Sequence, residues 1–348
     1  MTASTFAWAS GGADGSFTWR TASPYESRYV APGSAPPSKR GAPTTSFANG
    51  GRSSSPFAGL GEVARALETY PYGCTEQLVS RLVPSLLLTS GGERLGVESG
   101  LDRADLEEAI ATLHARQQPD GGFGYWTRSD GSELWLTGYA LLALLRARAA
   151  GLPVSARAIG TARRYLERLP LGAETTAIAQ AWLEDVLATA GAPRRDRIAA
   201  LAARPAALGA FGRVLLAHAA AVAGDRALGR SLLDASVAAG ITLTDATGQA
   251  SLPAPEPYAS SILRSTARDT ALLVRALALA WPEHPALPRL VAGLLAARRD
   301  GRYATTQDGA WALLALDEAA RAAPPPAELT ARVWLDGAPV MQASLAGP

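Results

Sequence analysis

Arg116-Gln117-Gln118-Pro119-Asp120-Gly121-Gly122-Phe123-Gly124-Tyr125-Trp126 leads into Leu134-Trp135-Leu136-Thr137-Gly138-Tyr139-Ala140-Leu141-Leu142-Ala143-Leu144. Far downstream, Arg298-Arg299-Asp300-Gly301-Arg302-Tyr303 leads into Gly309-Ala310-Trp311-Ala312-Leu313-Leu314-Ala315-Leu316. Each copy holds an Asp-Gly turn, an aromatic residue and then a helix that starts near a Trp. The Asp-Gly pair supplies the turn. The Trp anchors the helix in a core. This internal repeat favours a closed ring of helical hairpins.

Helical texture extends in both directions from that repeat. Leu60 to Leu67 begins one helix and Thr75 to Leu88 reads as another. Asp102 caps a third, which continues through Leu106, Ile110 and Leu113 at helical spacing. Apolar-periodic segments follow at about 133–149, 155–168, 174–190, 205–223, 226–237, 266–280, 286–298 and 307–321. Breaks such as Gly151-Leu152-Pro153, Gly191-Ala192-Pro193 and Gly224-Asp225 separate them. About a dozen helices in antiparallel pairs predicts an all-α fold, an α/α toroid of about six helical hairpins. The same spacing taken alone also fits an open α-solenoid.

Three regions are expected along the chain. Residues 1–55 are rich in Ser, Gly, Pro and Ala, with Pro32, Pro36, Pro37 and Pro43 as breakers, and read as disordered or poorly folded. Residues 56–323 form the helical domain. Within it, 241–264 reads as a long connection with a short β excursion around Ile241-Thr242-Leu243-Thr244. Residues 327–348 carry an alternating run, Thr330 to Leu335, then a turn at Asp336-Gly337, and read as the first hairpin of a truncated β domain.

Composition narrows the function classes. The 348 residues are 48% hydrophobic with a net charge of +2, so no basic field is present to hold nucleic acid. Cys74 is the only cysteine and His114, His218 and His284 are the only histidines, which argues against a metal site and points to no cofactor. No twenty-residue apolar run marks a membrane span, and Met1 to Trp8 lacks the pattern of a secretory signal. Either the protein is cytoplasmic, or the chain is a piece of a longer secreted one. Lys39 is the only lysine, which reads either as composition bias or as the sparing of a stored electrophile from internal amines.

Chemistry concentrates in Tyr70-Pro71-Tyr72-Gly73-Cys74-Thr75-Glu76-Gln77-Leu78-Val79-Ser80-Arg81. Cys74 and Gln77 are three apart at the start of a helix, so their side chains can meet. A Cys sulfur beside a Gln carboxamide can condense, with loss of ammonia, to an internal thioester. Pro71 and Gly73 are expected to set a tight turn before the helix. The helix N-terminus favours the thiolate released when such a bond is attacked. A lone Cys near a helix start also has a plain reading, as an inert buried residue. Glu76 either favours the helix N-terminus or helps to assemble the thioester.

The stretch Tyr-Pro-Tyr-Gly-Cys-Thr-Glu-Gln resembles the thioester signature of the bacterial alpha-2-macroglobulins, relatives of complement C3 and C4. The resemblance extends over roughly residues 52–345. Ser54-Ser55-Pro56-Phe57-Ala58-Gly59-Leu60 is similar to the family's lead-in, and Pro119 to Gly124 to its internal turn. Arg268-Asp269-Thr270-Ala271-Leu272 and Thr305-Thr306-Gln307-Asp308-Gly309-Ala310-Trp311 are similar to its later helices. The resemblance implies a thioester between Cys74 and Gln77, with Tyr70, Pro71, Gly73, Thr75 and Glu76 in support, on an α/α toroid. It implies a non-enzymatic, periplasmic or extracellular endopeptidase inhibitor that traps proteases through their surface amines. It also implies partner macroglobulin β domains of the parent chain, which are missing here. The complement relatives that prefer hydroxyls carry a histidine where this chain reads Glu174-Thr175-Thr176-Ala177.

Two other functions fit the helical pattern. One is a toroid enzyme. A terpene cyclase lacks support because no Asp-Asp pair occurs, while a glycosidase could draw on Glu133, Glu174 and Asp269. The other is a helical binding module in which no thioester forms. The histidines have plain readings: His114 at a helix end where its charge suits the dipole, His218 packed in an Ala-rich helix, and His284 in a turn.

Overall fold

The computed structural model describes residues 7–11, 17–21, 59–91, 95, 97–127, 131–171, 175–240, 242–244, 249–253, 264–323, 329–335 and 338–345. Twelve helices lie among them. They are α1 (Leu60–Glu68), α2 (Thr75–Gly91), α3 (Arg103–Arg116), α4 (Leu134–Ala149), α5 (Ala156–Arg168), α6 (Ala177–Thr189), α7 (Arg195–Ala202), α8 (Pro205–Val222), α9 (Arg226–Gly240), α10 (Thr266–Ala280), α11 (Ala286–Ala296) and α12 (Thr306–Ala322). The strands are β1 (Ala7–Gly11), β2 (Phe17–Thr21), β3 (Thr242–Thr244), β4 (Gln249–Ser251), β5 (Leu329–Leu335) and β6 (Ala338–Leu345).

Burial sorts the helices into two sets. The odd-numbered ones bury a single stripe at helical spacing: Leu60, Val63, Ala64 and Leu67 on α1, and Leu106, Ala109, Ile110 and Leu113 on α3. The even-numbered ones are buried nearly all round, as in Leu136–Leu144 of α4, Ala181–Ala188 of α6 and Asp308–Leu316 of α12. A helix apolar on every side must be surrounded by other helices.

The packing meets that demand by closing a ring. α2 packs on α4, α4 on α6, α6 on α8, α8 on α10, α10 on α12, and α12 back on α2. The odd helices pack outside, each against its two chain neighbours, with α1 bridging α12 and α2. This is an α/α toroid of six hairpins. α8 is long and apolar enough to cross a membrane, and in this fold it is an inner helix of the ring.

Aromatic side chains fill the middle of the ring. Trp135 stacks on Trp182 at 5.0 Å, Tyr139 on Trp311 at 5.4 Å, and Trp182 meets Trp311 edge-on at 6.1 Å. Gly138 makes room for them, because a Cβ there would lie 2.7 Å from Trp182 Nε1. The two Asp-Gly turns of the internal repeat close as antiparallel bridges, Gln117 with Phe123 and Arg299 with Arg302. Gly121 has φ 96°, and a Cβ would meet the Thr161 carbonyl oxygen at 2.4 Å, so only glycine suits the turn.

A charged chain of contacts ties the far halves of the inner helices together. Glu318 on α12 pairs with Arg275 on α10 and Arg146 on α4, each at 2.9 Å. Arg275 meets His218 on α8 at 3.4 Å, and His218 meets Asp185 on α6 at 2.5 Å. Burial pushes the Glu318 carboxyl up, and the Arg275 and Arg146 guanidiniums more than offset it, leaving it below the usual range.

Three features depart from the sequence reading. α7 was absent from the expected helices, because its eight residues bury only Ile198 and Leu201 and give periodicity little to act on. Strands β1 and β2 pair antiparallel inside the segment expected to lack regular structure. Ala7-Trp8-Ala9-Ser10 and Phe17-Thr18-Trp19-Arg20-Thr21 carry a short β pattern that the Pro- and Gly-rich surroundings obscured. The β excursion at 242–244 pairs with a second strand, β4, that the sequence did not announce.

The chain divides into the helical unit, Phe57–Ala323, and a second unit drawn from Met1–Pro56 and Pro324–Pro348. In the second, β5 and β6 pair as an antiparallel hairpin with an irregularity between Val333 and Trp334.

Candidate functional site

Cys74 is the N-cap of α2: its carbonyl accepts the first helical bond, from Leu78 N–H at 2.9 Å. The N-cap side chain of a helix ordinarily accepts bonds from the second and third N–H groups, and a Gln at the third position reaches back to the N-cap N–H. Cys74 and Gln77 adopt this reciprocal arrangement. The Cys74 backbone N–H donates to Gln77 Oε1 at 3.0 Å. The backbone N–H groups of Gln77 and Glu76, at the start of the same helix, favour the thiolate of Cys74. The motif is thus a capping box with sulfur in place of a hydroxyl, and the cap geometry sets the sulfur beside the carboxamide.

The surroundings pull the thiol in both directions. Cys74 is buried and unpaired as a disulfide. Burial pushes its thiol up, as does the nearby Glu76 carboxyl, while the α2 N–H groups and Arg116 oppose them.

The neighbours of Cys74 each fix the turn differently. Thr75 is fully buried, and its N–H and hydroxyl both donate to the Tyr125 carbonyl, at 2.7 and 2.9 Å. The loop between α3 and α4 is thereby clamped to the start of α2. Glu76 points into the ring, where Ser80 donates to it at 2.7 Å and Thr306 on α12 at 3.0 Å. Ser80 also meets the Tyr139 hydroxyl of α4 at 3.1 Å. Burial pushes the Glu76 carboxyl up, and the two hydroxyl donors partly restore it.

Tyr70, Pro71 and Tyr72 are exposed ahead of the motif, with Tyr70 and Tyr72 edge-on at 5.8 Å. A bend at Pro71 leads the chain in. Gly73 has open space and is not left-handed, so neither sterics nor φ explains glycine there, contrary to the expected tight turn. With Tyr125 and Trp126, also exposed, the two tyrosines make an aromatic rim beside a buried sulfur. The sequence reading missed Tyr125, Arg116 and Thr306 as site neighbours, and no spacing rule links them to Cys74.

The other candidates lie elsewhere. Glu133 is exposed at the start of α4, Asp269 is buried and bonded to Arg264, and Glu174 lies outside the described residues. His114 Nε2 accepts the Ser155 N–H and burial lowers its proton affinity, so the expected dipole-stabilising charge is disfavoured. His284 is buried against Trp281 and accepts the Ala286 N–H. None of the three histidines bonds to residues 70–77. Among the described residues no cluster of His, Cys, Asp and Glu could hold a metal.

No family model matches the chain. The curated alpha-2-macroglobulin of Escherichia coli is 34% identical over 120 residues, which are 33% of this chain and 7% of that protein. A Salmonella alpha-2-macroglobulin reacted with methylamine superposes with a TM-score of 0.64 at 24% identity, covering 83% of this chain and 19% of that one. An Escherichia coli alpha-2-macroglobulin activated by porcine elastase superposes with a TM-score of 0.59 at 23% identity, covering 82% of this chain and 26% of that one. Over about a third of its length this chain is therefore similar to the bacterial alpha-2-macroglobulins, of which it spans under a tenth, and it shares the all-α fold of the matching part of the solved ones.

Proposed function

We propose that Cys74 and Gln77 are joined by an internal thioester, and that the chain is the covalent-trapping part of a protease inhibitor of the alpha-2-macroglobulin kind. The observation that carries this reading is the 3.0 Å bond from the Cys74 N–H to Gln77 Oε1. A donor on the carbonyl oxygen polarises the carboxamide and stabilises the oxyanion formed when sulfur adds to its carbon. The thiol proton ends on the departing nitrogen, and ammonia leaves.

The stored bond is then opened once, by a protease amine attacking the same carbon. The amide forms, the C–S bond breaks, and sulfur departs as thiolate beside the α2 N-terminus. Nothing regenerates the bond, so the chain is consumed rather than turning over. A neutral amine needs no general base, whereas a hydroxyl needs one. The three histidines are engaged elsewhere, which favours amines. The scarcity of lysine fits, since an internal lysine could quench the bond. In this reading the parent works in the periplasm or outside the cell, and its macroglobulin β domains pack on the exposed aromatic rim.

Intact mass tests the proposal. The chain should be lighter by one ammonia than its sequence mass, and methylamine should add its full mass at Gln77, leaving that residue one CH2 heavier than glutamine, while freeing one thiol. Methylamine should label far faster than glycerol. A chain at full sequence mass, with Cys74 freely titratable from the start, would sink the reading.

A further inference from the structure

Arg116 closes α3 where that helix reaches the start of α2. It lines a surface groove of about 320 Å³ together with Gly73, Leu78, Arg81, Asp105 and Glu108. Its guanidinium donates to the Thr75 hydroxyl at 3.4 Å, one residue from Cys74. Among the described residues no carboxylate forms an ion pair with it. The other ionised group bearing on Cys74 is the Glu76 carboxyl, whose charge opposes a thiolate. Asp105 and Glu108 face the same groove, and Arg116 is directed by Thr75, the residue next to Cys74, within Coulombic reach of the Cys74 sulfur.

We propose that Arg116 sets the reactivity of the Cys74–Gln77 bond by stabilising the sulfur as it leaves. The proposal rests on the thioester reading above. When an amine attacks, the C–S electron pair moves onto sulfur, and the amine's surplus proton passes to water. The developing negative charge then sits between the α2 N–H groups and the Arg116 guanidinium. The direction of the Arg116 effect on the Cys74 thiol agrees: the guanidinium lowers it against burial. A purely structural Arg116 would complement the α3 dipole and hold Thr75, with no effect on the sulfur.

Two measurements on the full chain separate these roles. In a Gln77→Ala background no thioester can form, and the pH profile of Cys74 alkylation by iodoacetamide reports the thiol directly. Adding R116Q should move the midpoint of that profile upward, and R116K should bring it back, because lysine keeps the charge. In the otherwise wild-type chain, R116Q should still lose ammonia but release thiol to methylamine about three- to tenfold more slowly. Circular dichroism identifies any variant that fails to fold, and R116K then carries the comparison. An unchanged alkylation profile, or unchanged methylamine kinetics, overturns the role of Arg116. Absence of the ammonia-light mass in the wild-type chain overturns the thioester itself, which is a different failure.

Discussion

The backbone N–H of Cys74 donates to Oε1 of Gln77 across 3.0 Å, in the position that a capping box gives to its reaching-back side chain. Reactive geometry and helix capping are therefore one arrangement. Cys74→Ser should keep the cap and leave the unfolding free energy close to that of the wild type, whereas Cys74→Ala should lose about 1 kcal/mol. Both variants should retain full helicity and should show no ammonia loss. Loss of helical circular dichroism in the Ala variant would mean that the cap does more than end a helix.

Glu76 offers a pH test of burial at the motif. Its folded carboxyl lies above the ordinary value, so the folded state holds this proton more tightly than the unfolded chain. The contribution is fully present below the unfolded pKa and is lost as pH rises through the folded one. Glu76→Gln removes that loss. The variant should gain stability relative to wild type as pH rises from about 4, then stay level. Urea midpoints between pH 4 and 8 would decide it, and a gap that shrinks with rising pH would contradict the assignment.

Glu318 should behave in the opposite sense. Its carboxyl lies below the usual range because Arg275 and Arg146 outweigh its burial. Its contribution is present above the unfolded pKa and is lost as pH falls through the folded one. Glu318→Gln should cost about 3 kcal/mol near neutral pH, and the deficit should close in acid. Thermal unfolding across that range tests it; a pH-independent deficit would assign the cost to shape.

Ring packing can be probed at two helical glycines. A Cβ at Gly138 meets Trp182 and Val186 at 2.7 and 2.9 Å, whereas one at Gly61 on α1 meets nothing within 4 Å. Gly138→Ala should destabilise by about 1–2 kcal/mol, and Gly61→Ala should stabilise by about 0.5–1 kcal/mol through helix propensity. Equal effects at the two sites would contradict the packing at Trp182.

The ring closes without residues before Leu60. Deleting residues 1–56 should leave the main thermal transition of the helical unit unchanged. A large fall in its midpoint would show that the second unit supports the first.

From the sequence alone come most of the helices and the Cys74–Gln77 candidate pair. Helical spacing of Leu106, Ile110 and Leu113, the Asp102 cap and the Cys74-x-x-Gln77 turn all involve residues within one or two turns of each other, and such contacts depend on local order. The short α7 and the β1–β2 pair escaped for the same reason, since each offers too few residues for a period to register.

Only the tertiary structure decided between a closed ring and an open solenoid. That choice rests on α12 returning to α2, with the Thr306 hydroxyl on the Glu76 carboxyl joining residues far apart in the chain. Which residues surround Cys74 was decided there too. Tyr125 holds Thr75, and Arg116 arrives from the end of a neighbouring helix. Periodicity assigns a residue to a face of its own helix, but the partner of that face is set by how all twelve helices share one core.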